Sequence, residues 1–475
     1  MLALIMILLL FIFQTATILL GEFRRPSKAV AWLFVLFIFP IIGFVMYYFL
    51  AKEYSQRNIV RRRGLYPLAE LPRRQLERGA PEDGADDILG ALRREPRLCG
   101  LLHNLPGSLL TSRNEVTILT NAEMTYTSML EELERAEHHI HFEFYTFRND
   151  GAGRRFGEVL MRKARQGVRV RVICDGIGSY GLSGDYVREL QAAGVELYRF
   201  LPPLIAWFDK RMNYRNHRKI IVVDGLVGFT GGINIGDEYL GLDPKLGFWR
   251  DTHVRLAGDA VYFLQTTFMT DWMFVSGSKL DDEGLFPEIS LPAASPVQVI
   301  ASGPDAHWDA IQEMFFSCMA AAHRRVLMTT PYFIPDPSIA MALKTAAVSG
   351  VDVRVILPRQ ADSRLVQYAS RSYLLELMQA GVRFFLYRKG FIHAKVLIID
   401  QLLATVGTAN MDMRSFFSNF ELNAVMFAPE TIARLEADFW ADLQECEELR
   451  LDVFERRSRL EKSKEVLARL LSPLF

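Results

Sequence analysis

Net charge is the first thing this chain lacks: 55 lysines and arginines stand against 55 aspartates and glutamates. Without a basic excess, the global argument for nucleic-acid binding disappears. Cysteine is scarce too. Cys99, Cys174, Cys318 and Cys446 are scattered without CxxC spacing, which points to neither zinc nor a disulfide framework and reads as a reducing compartment. No lysine or arginine follows Met1, so the basic start of a cleaved signal peptide is missing.

What the chain has at its start is apolar surface. "MLALIMILLLFIFQTATILL" (1–20) is uncharged, and after "GEFRRPSKA" a second uncharged run ends at Leu50. Each run is about 20 residues, enough for a helix to cross a hydrocarbon core of roughly 30 Å. We expect a transmembrane hairpin with spans of about 1–20 and 30–50, a kink at Pro40, and Trp32, Tyr47 and Tyr48 suited to the interfaces. The loop carries Arg24, Arg25 and Lys28, whereas Lys52, Arg57, Arg61, Arg62 and Arg63 follow the second span. The larger basic excess after the second span places the rest of the chain in the cytoplasm.

From 51 to 112 the chain is rich in Arg, Pro and Gly and reads as a linker along the membrane surface with one short helix. Beyond it lies an internal repeat. "LERAEHHIHFEFYTF" (133–147) is echoed by "MAAAHRRVLMTTPYF" (319–333), "QGVRVRVICD" (166–175) by "SGVDVRVILP" (349–358), and "LQAAGVELYRF" (190–200) by "LMQAGVRFFLY" (377–387). Each half reads helix, strand, helix, strand, helix, strand, hairpin, with the glycine of "AGV" closing a helix before a β-branched strand. The expected fold is α/β: two pseudo-twofold-related halves, 113–290 and 291–446, of sheets covered on both faces, with equivalent sites able to face each other. The first half has a surplus, "PPLIAWFDKRMNYRN" (202–216), whose Trp207, Phe208, Lys210, Arg211 and Tyr214 read either as a lip on lipid or as an ordered loop. A tail from 447 to 475 combines Leu460, Val466, Leu467, Leu470 and Leu471 with basic residues, and fits a membrane-surface helix or a helix packed on the domain.

The repeat ends in a sparse polar pattern. "NHRKIIVVDG" (216–225) and "IHAKVLIIDQ" (392–401) both read HxKxxxxD: His217, Lys219, Asp224 in one copy, His393, Lys395, Asp400 in the other. Alternation along a strand puts each His and Lys on one face. Gly231, Gly232 and Asn234 follow Asp224 at the offsets at which Gly407, Thr408 and Asn410 follow Asp400. Small residues let the backbone approach a phosphate, and asparagine donates to its oxygens. A lone His-Lys pair is ordinarily a solvated face, and His with Asp is also a metal pair. The lysine argues against metal, since an ammonium repels a cation and suits an anionic phosphodiester. His138, His139 and His141 sit at a helix-to-strand junction, where His141 reads as core or as support for the site.

The paired motifs resemble those of the phospholipase D superfamily. Within it, the two N-terminal spans with "GGINIGDEY", "FWRDTHVRLAG", "TTPYFIP" and "GTANMDMRSFFSNFELN" are similar to the bacterial cardiolipin synthase branch. The resemblance implies a cofactor- and metal-free phosphatidyl transfer at the bacterial cell membrane. One phosphatidylglycerol is donor and a second is acceptor, glycerol is released, and a phosphohistidine is the intermediate. His217 is then the nucleophile and His393 the general acid and base, with the reverse permitted by the pseudo-symmetry. Lys219, Lys395, Asn234 and Asn410 would bind phosphate, and Asp224 and Asp400 would orient the histidines. Glu143, Tyr332, Glu421 and the "RSFFSNFE" stretch are candidate wall or supporting residues, and Arg414, Trp249 and Arg250 read equally as structural. The alternatives are a tethered phospholipase D that releases phosphatidic acid, a nuclease, which the neutral charge and two spans disfavour, and a scaffold without turnover.

Overall fold

The computed structural model describes residues 2–22, 26–47, 90–202, 214–282, 284–291, 295–306 and 308–472. Arg24, Arg25, Tyr48, the basic residues from Lys52 to Arg63, and Trp207, Phe208, Lys210 and Arg211 lie outside them.

Each half is built on a mixed sheet. The first has 7 strands in the order Asn114–Thr120, Thr252–Gly258, Val227–Gly231, Ile220–Val223, His139–Phe144, Arg169–Asp175 and Glu196–Phe200. The central part of the second repeats that plan: Val297–Ser302, Asn419–Met426, Leu403–Gly407, Val396–Ile399, Arg325–Thr329, Asp352–Pro358 and Arg383–Tyr387. In both, the three strands joined by helices run parallel, and the hairpin after the His-Lys motif joins antiparallel. Helices start where a side chain replaces the missing carbonyl partners: Asp150 accepts from the Gly153 amide, Ser183 from Tyr186, and Asp336 from Ile339. The glycine closing the repeated "AGV" helix adopts φ 98° at Gly194 and 104° at Gly381, a conformation that needs no Cβ.

Helices cover one face of each sheet, around Phe142, Phe156 and Val172 in the first half and around Met314, Val355 and Leu374 in the second. The expected cover on the second face is not a complete helical layer. Ile220, Val222, Val254 and Leu256 of the first sheet share a core with Leu327, Ile398, Val406 and Leu422 of the second, so the sheets close on each other. Two equivalent half-buried surfaces thereby become one buried interface, a strong apolar reason for the halves to stay together.

Residues 90–112 are not a linker. Leu92, Leu98, Leu102 and Leu105 are buried in the second half's core, and Leu110–Thr111 adds an antiparallel strand to Val297–Ser302. The tail also folds onto the second half: Phe454 and Ala468 are buried, and the Tyr373 hydroxyl lies 2.8 Å from Ser472 Oγ. Val466 and Leu467 of its last helix, Arg459–Leu471, stay exposed.

At the N-terminus, helices span Leu2–Gly21, Pro26–Ile38 and Pro40–Met46, so the break falls at Pro40. Side chains of residues 2–4, 7 and 27 lie outside the described set, and among the described residues no helix is long and apolar enough to cross a membrane. Trp32 and Tyr47 are not outward anchors. They are buried against each other, ring centroids 5.7 Å apart, inside the helical hairpin.

Candidate active site

The two histidine motifs meet at the junction of the halves by an exchange. The short strand Arg215–Asn216 leaves its own sheet and pairs with Asn419–Met426 of the second half, and the His217 amide donates to Phe420 O at 2.9 Å. Reciprocally, Gly390–Ile392 pairs with Phe248–Arg250 of the first half, and the His393 amide donates to Arg250 O at 2.7 Å. Each histidine is thus seated on the other half's backbone, next to a carboxylate that its own half does not supply. His217 Nδ1 is 3.0 Å from both oxygens of Glu421, and His393 Nδ1 is 2.8 Å from Asp251 Oδ2.

These contacts fix the rings. A carboxylate at Nδ1 accepts its proton and leaves Nε2 with the lone pair. The acids are themselves held: Glu421 accepts from the Thr408 hydroxyl and from Asn419 Nδ2 at 3.0 Å, and Asp251 accepts from the Thr252 amide at 2.8 Å. Burial pushes both carboxyls up, but the facing imidazoles and the nearby lysines outweigh it and hold both down to about 2. Burial, reinforced by the neighbouring ammonium groups, lowers both histidines below the ordinary imidazole value despite their carboxylates. The site therefore holds neutral rings beside charged carboxylates.

Lys219 and Lys395 are buried, each donating to the carbonyl of its own histidine. Burial lowers Lys219 to about 7 and Lys395 to about 8, and each feels the other half's carboxylate as well as its own. His217, His393, Asn234 and Asn410 line one cleft of about 550 Å³. Asn234 is already engaged, accepting from the Thr146 amide and donating to the Tyr239 hydroxyl at 3.0 Å, so one amide hydrogen stays in hand. Asn410 keeps a buried Oδ1 without a hydrogen-bond partner. Tyr145 sets its ring edge to His217 at 5.1 Å, and Trp249 packs 5.1 Å from His393.

Asp224 and Asp400 do not orient the histidines. Asp224 accepts from the amides of Glu137, His138 and His139, and Asp400 from those of His323, Arg324 and Arg325. Both sit at left-handed φ, 54° and 50°, in the turn after the motif strand. They staple that turn to the start of the neighbouring strand, a structural task four residues of β-chain away from the chemistry. Glu143 does not line the cleft: it is buried, 2.5 Å from Asn216 Nδ2, with burial and neighbouring Asp271 raising its pKa. Arg250 is structural, bound to Asp442 at 2.8 Å. His141 is core, stacked on Phe268 at 4.2 Å. Tyr332 and Arg414 do line the cleft, the former bonded to Asp362 at 2.5 Å.

From the sequence Glu421 is expected only as wall or support, and Asp251 is not expected at the site at all. The available signal is that both acids open an apolar strand, "DTHVRL" and "ELNAVM", late in each repeat. Among the described residues no group of three or more His, Cys, Asp or Glu is placed to hold a metal ion.

Two imidazoles from duplicated halves line one cleft, each with a buried lysine two residues on, an arrangement of the phospholipase D type. The profile of the "cardiolipin synthase, PLD-like domain" matches the chain twice, at 129–256 and 315–443, and that of the "phospholipase D-nuclease N-terminal" segment matches 3–52. A cardiolipin synthase of Geobacillus kaustophilus is 43% identical over 456 residues, covering 96% of this chain and 90% of that one. Cardiolipin synthase 2 of Bacillus anthracis is 41% identical over 469 residues, covering 98% and 90%. In fold, the chain resembles the crystal structure of a phosphatidylserine synthase from Haemophilus influenzae, with a TM-score of 0.60 at 15% identity, covering 80% of this chain and 96% of the other. The chain belongs to the cardiolipin synthase family of paired phospholipase D-like domains.

Proposed function

We propose that this protein is a phosphatidyltransferase that joins two phosphatidylglycerol molecules into cardiolipin and releases glycerol. The observation that carries the reading is the pair of carboxylate-held imidazoles, one from each half, lining a single cleft with two buried lysines. Family membership supplies the phospholipid class and the membrane setting.

In the first step, the Nε2 lone pair of one histidine forms a bond to phosphorus as the bond from phosphorus to the head-group glycerol oxygen breaks. The second histidine delivers its proton to that oxygen. It must be charged to do so, and the negative charge of a phosphodiester beside it raises its pKa. In the second step the same ring takes the proton of an incoming phosphatidylglycerol hydroxyl. The new P–O bond forms and the P–N bond breaks. Lys219 and Lys395, with the Asn234 and Asn410 amides, hold the non-bridging oxygens as charge develops. Following the resemblance, His217 is the nucleophile and His393 the acid and base.

Labelled phosphatidylglycerol given to the purified enzyme tests the reaction: cardiolipin plus glycerol is the expected outcome, and phosphatidic acid alone defeats it. Enzyme quenched in denaturing detergent at neutral to mildly alkaline pH, where a P–N bond survives, and analysed for a covalent phosphatidyl adduct assigns the roles. His217→Ala should form none, whereas an adduct that persists there and vanishes in His393→Ala reverses the assignment.

The N-terminal hairpin anchors this site to its substrates. Supporting this, the sequence is uncharged over 1–20 and 30–50, and the phospholipase D-nuclease N-terminal family matches 3–52. The basic residues after Leu50 favour a cytoplasmic catalytic body. Protease accessibility in spheroplasts checks this, since cleavage of the body from outside contradicts it.

A further inference from the structure

The reacting groups are matched between halves: His for His, Lys for Lys, Asn for Asn, and an acid for an acid. Lys219 and Lys395 are balanced by Asp251 and Glu421, so this shared set is electrically even before any lipid enters. The duplication makes it possible to see where the halves depart from each other. Two residues before the histidine stands Arg215 in the first half and Phe391 in the second; four after the asparagine stands Glu238 in the first and Arg414 in the second. The exchanged strand pairs differ in the same sense, Arg215 opposite Asn419 in one and Phe391 opposite Trp249 in the other. One wall of the cleft is aromatic where its counterpart is polar and cationic.

Arg215 and Arg414 come from opposite halves and line the same cleft. Arg215 is buried, with Nη1 3.7 Å from Asp175 and 3.4 Å from Leu201 O, while Arg414 Nε lies 3.3 Å from Asn419 Oδ1. Both meet at Asn419, Arg215 by strand register and Arg414 through its side chain; burial pushes Arg215 below its ordinary value, Asp175 opposes that, and the Arg414 charge adds to it. An anion on this wall is attracted by both, and paired guanidinium forks match phosphate oxygens.

We infer that Arg215 and Arg414 form a subsite for a second phosphodiester, that of the lipid whose hydroxyl accepts the transferred group. This rests on the transfer reaction proposed above. The donor phosphate occupies the symmetric set of lysines and asparagines. An accepting phosphatidylglycerol brings its own phosphate three carbons from the attacking hydroxyl, and the product holds two phosphates on one glycerol. A neutral alcohol or water brings no such charge. The subsite therefore selects an anionic lipid acceptor over small hydroxylic competitors.

The test compares two reactions of the full-length enzyme in mixed micelles: cardiolipin formation, and exchange of labelled glycerol into phosphatidylglycerol. Both use the same donor and the same covalent step; only the acceptor differs. In Arg414→Gln the ratio of cardiolipin formation to glycerol exchange should fall about tenfold to hundredfold, the effect of losing one hydrogen bond to a charged group, mainly through the acceptor KM. Arg414→Lys should recover part of it, and Arg215→Gln should lower the same ratio. Continued exchange also shows that the variant is folded. An unchanged ratio, whether both rates stay or fall together, overturns the subsite. A wild-type enzyme that exchanges glycerol but makes no cardiolipin overturns the reaction itself, and the subsite with it.

Discussion

Four acidic side chains in this protein invite confusion, and their surroundings separate them. Asp251 and Glu421 face imidazole nitrogens, whereas Asp224 and Asp400 face backbone amides. Removing the charge at the first pair should therefore strip the histidines of their tautomer and orientation. Glu421→Gln and Asp251→Asn are expected to lower kcat about 100- to 10,000-fold with a folded chain, as measured by initial rates of cardiolipin formation. Asp224→Ala leaves three amides without their acceptor and should instead cost about 1–3 kcal/mol of stability, read as a lower Tm, with a far smaller loss of kcat. The lysines set a pH window. Each must carry its proton to hold phosphate, and burial brings that loss down to about 7 for Lys219 and about 8 for Lys395. As pH rises through this range the charge is lost, so kcat/KM should decline there. A bound phosphodiester resists the loss, so the decline in kcat should come at higher pH. A kcat/KM that stays flat well above that range contradicts the assignment.

At the scale of elements, the seats of the histidines are two short exchanged strands, Arg215–Asn216 and Gly390–Ile392. The longer strands were legible because alternating or continuous β-branched runs announce them, as in "VRVRVIC". Two or three residues cannot establish a period, so the exchange was not. Nor were the histidines' carboxylate partners, which lie 204 and 142 positions from the rings they hold. The motifs themselves were legible because chemistry compresses a histidine and a lysine into three residues, although these lie in the connection between an exchanged strand and the next one rather than on a strand face as expected. Their terminal aspartates shared the pattern for a different reason, the turn they staple, and sequence proximity misreads that as partnership. The backbone around the acids is equally tight. A Cβ at Gly232 would fall on the Asp251 carboxylate, so Gly232→Ala should displace it and lower kcat nearly as far as Asp251→Asn does. A near-wild-type rate in that variant, with unchanged circular dichroism, would show that the carboxylate can move without consequence.

For the whole molecule, duplication and its two-sheet architecture were readable from repeated segments, while the way the sheets close on each other was not, since an apolar strand face does not say what covers it. Composition also misassigned residues 90–112. The Arg-Pro-Gly character before them hides four leucines that fill the second half's core. The N-terminal helix Pro26–Ile38 touches the C-terminal helix Arg459–Leu471, so both chain ends meet on one side of the body. Removing residues 1–50 is expected to leave turnover in detergent micelles within a few-fold, but to lower turnover on phospholipid vesicles by about tenfold or more, because the anchor proposed above would raise the local lipid concentration at the cleft. Equal losses in both assays would make the segment part of the catalytic fold.

The crossed seating of the imidazoles has a further consequence. Neither lobe is a spare for the other, since each lobe's acid holds its twin's ring, and at those places the twins are bound to a common fate. Fusion into a single chain nevertheless frees the remaining positions from enforced likeness. A self-pairing single lobe would have to present the same wall to both lipids, whereas a fused pair can treat the giver and the receiver differently.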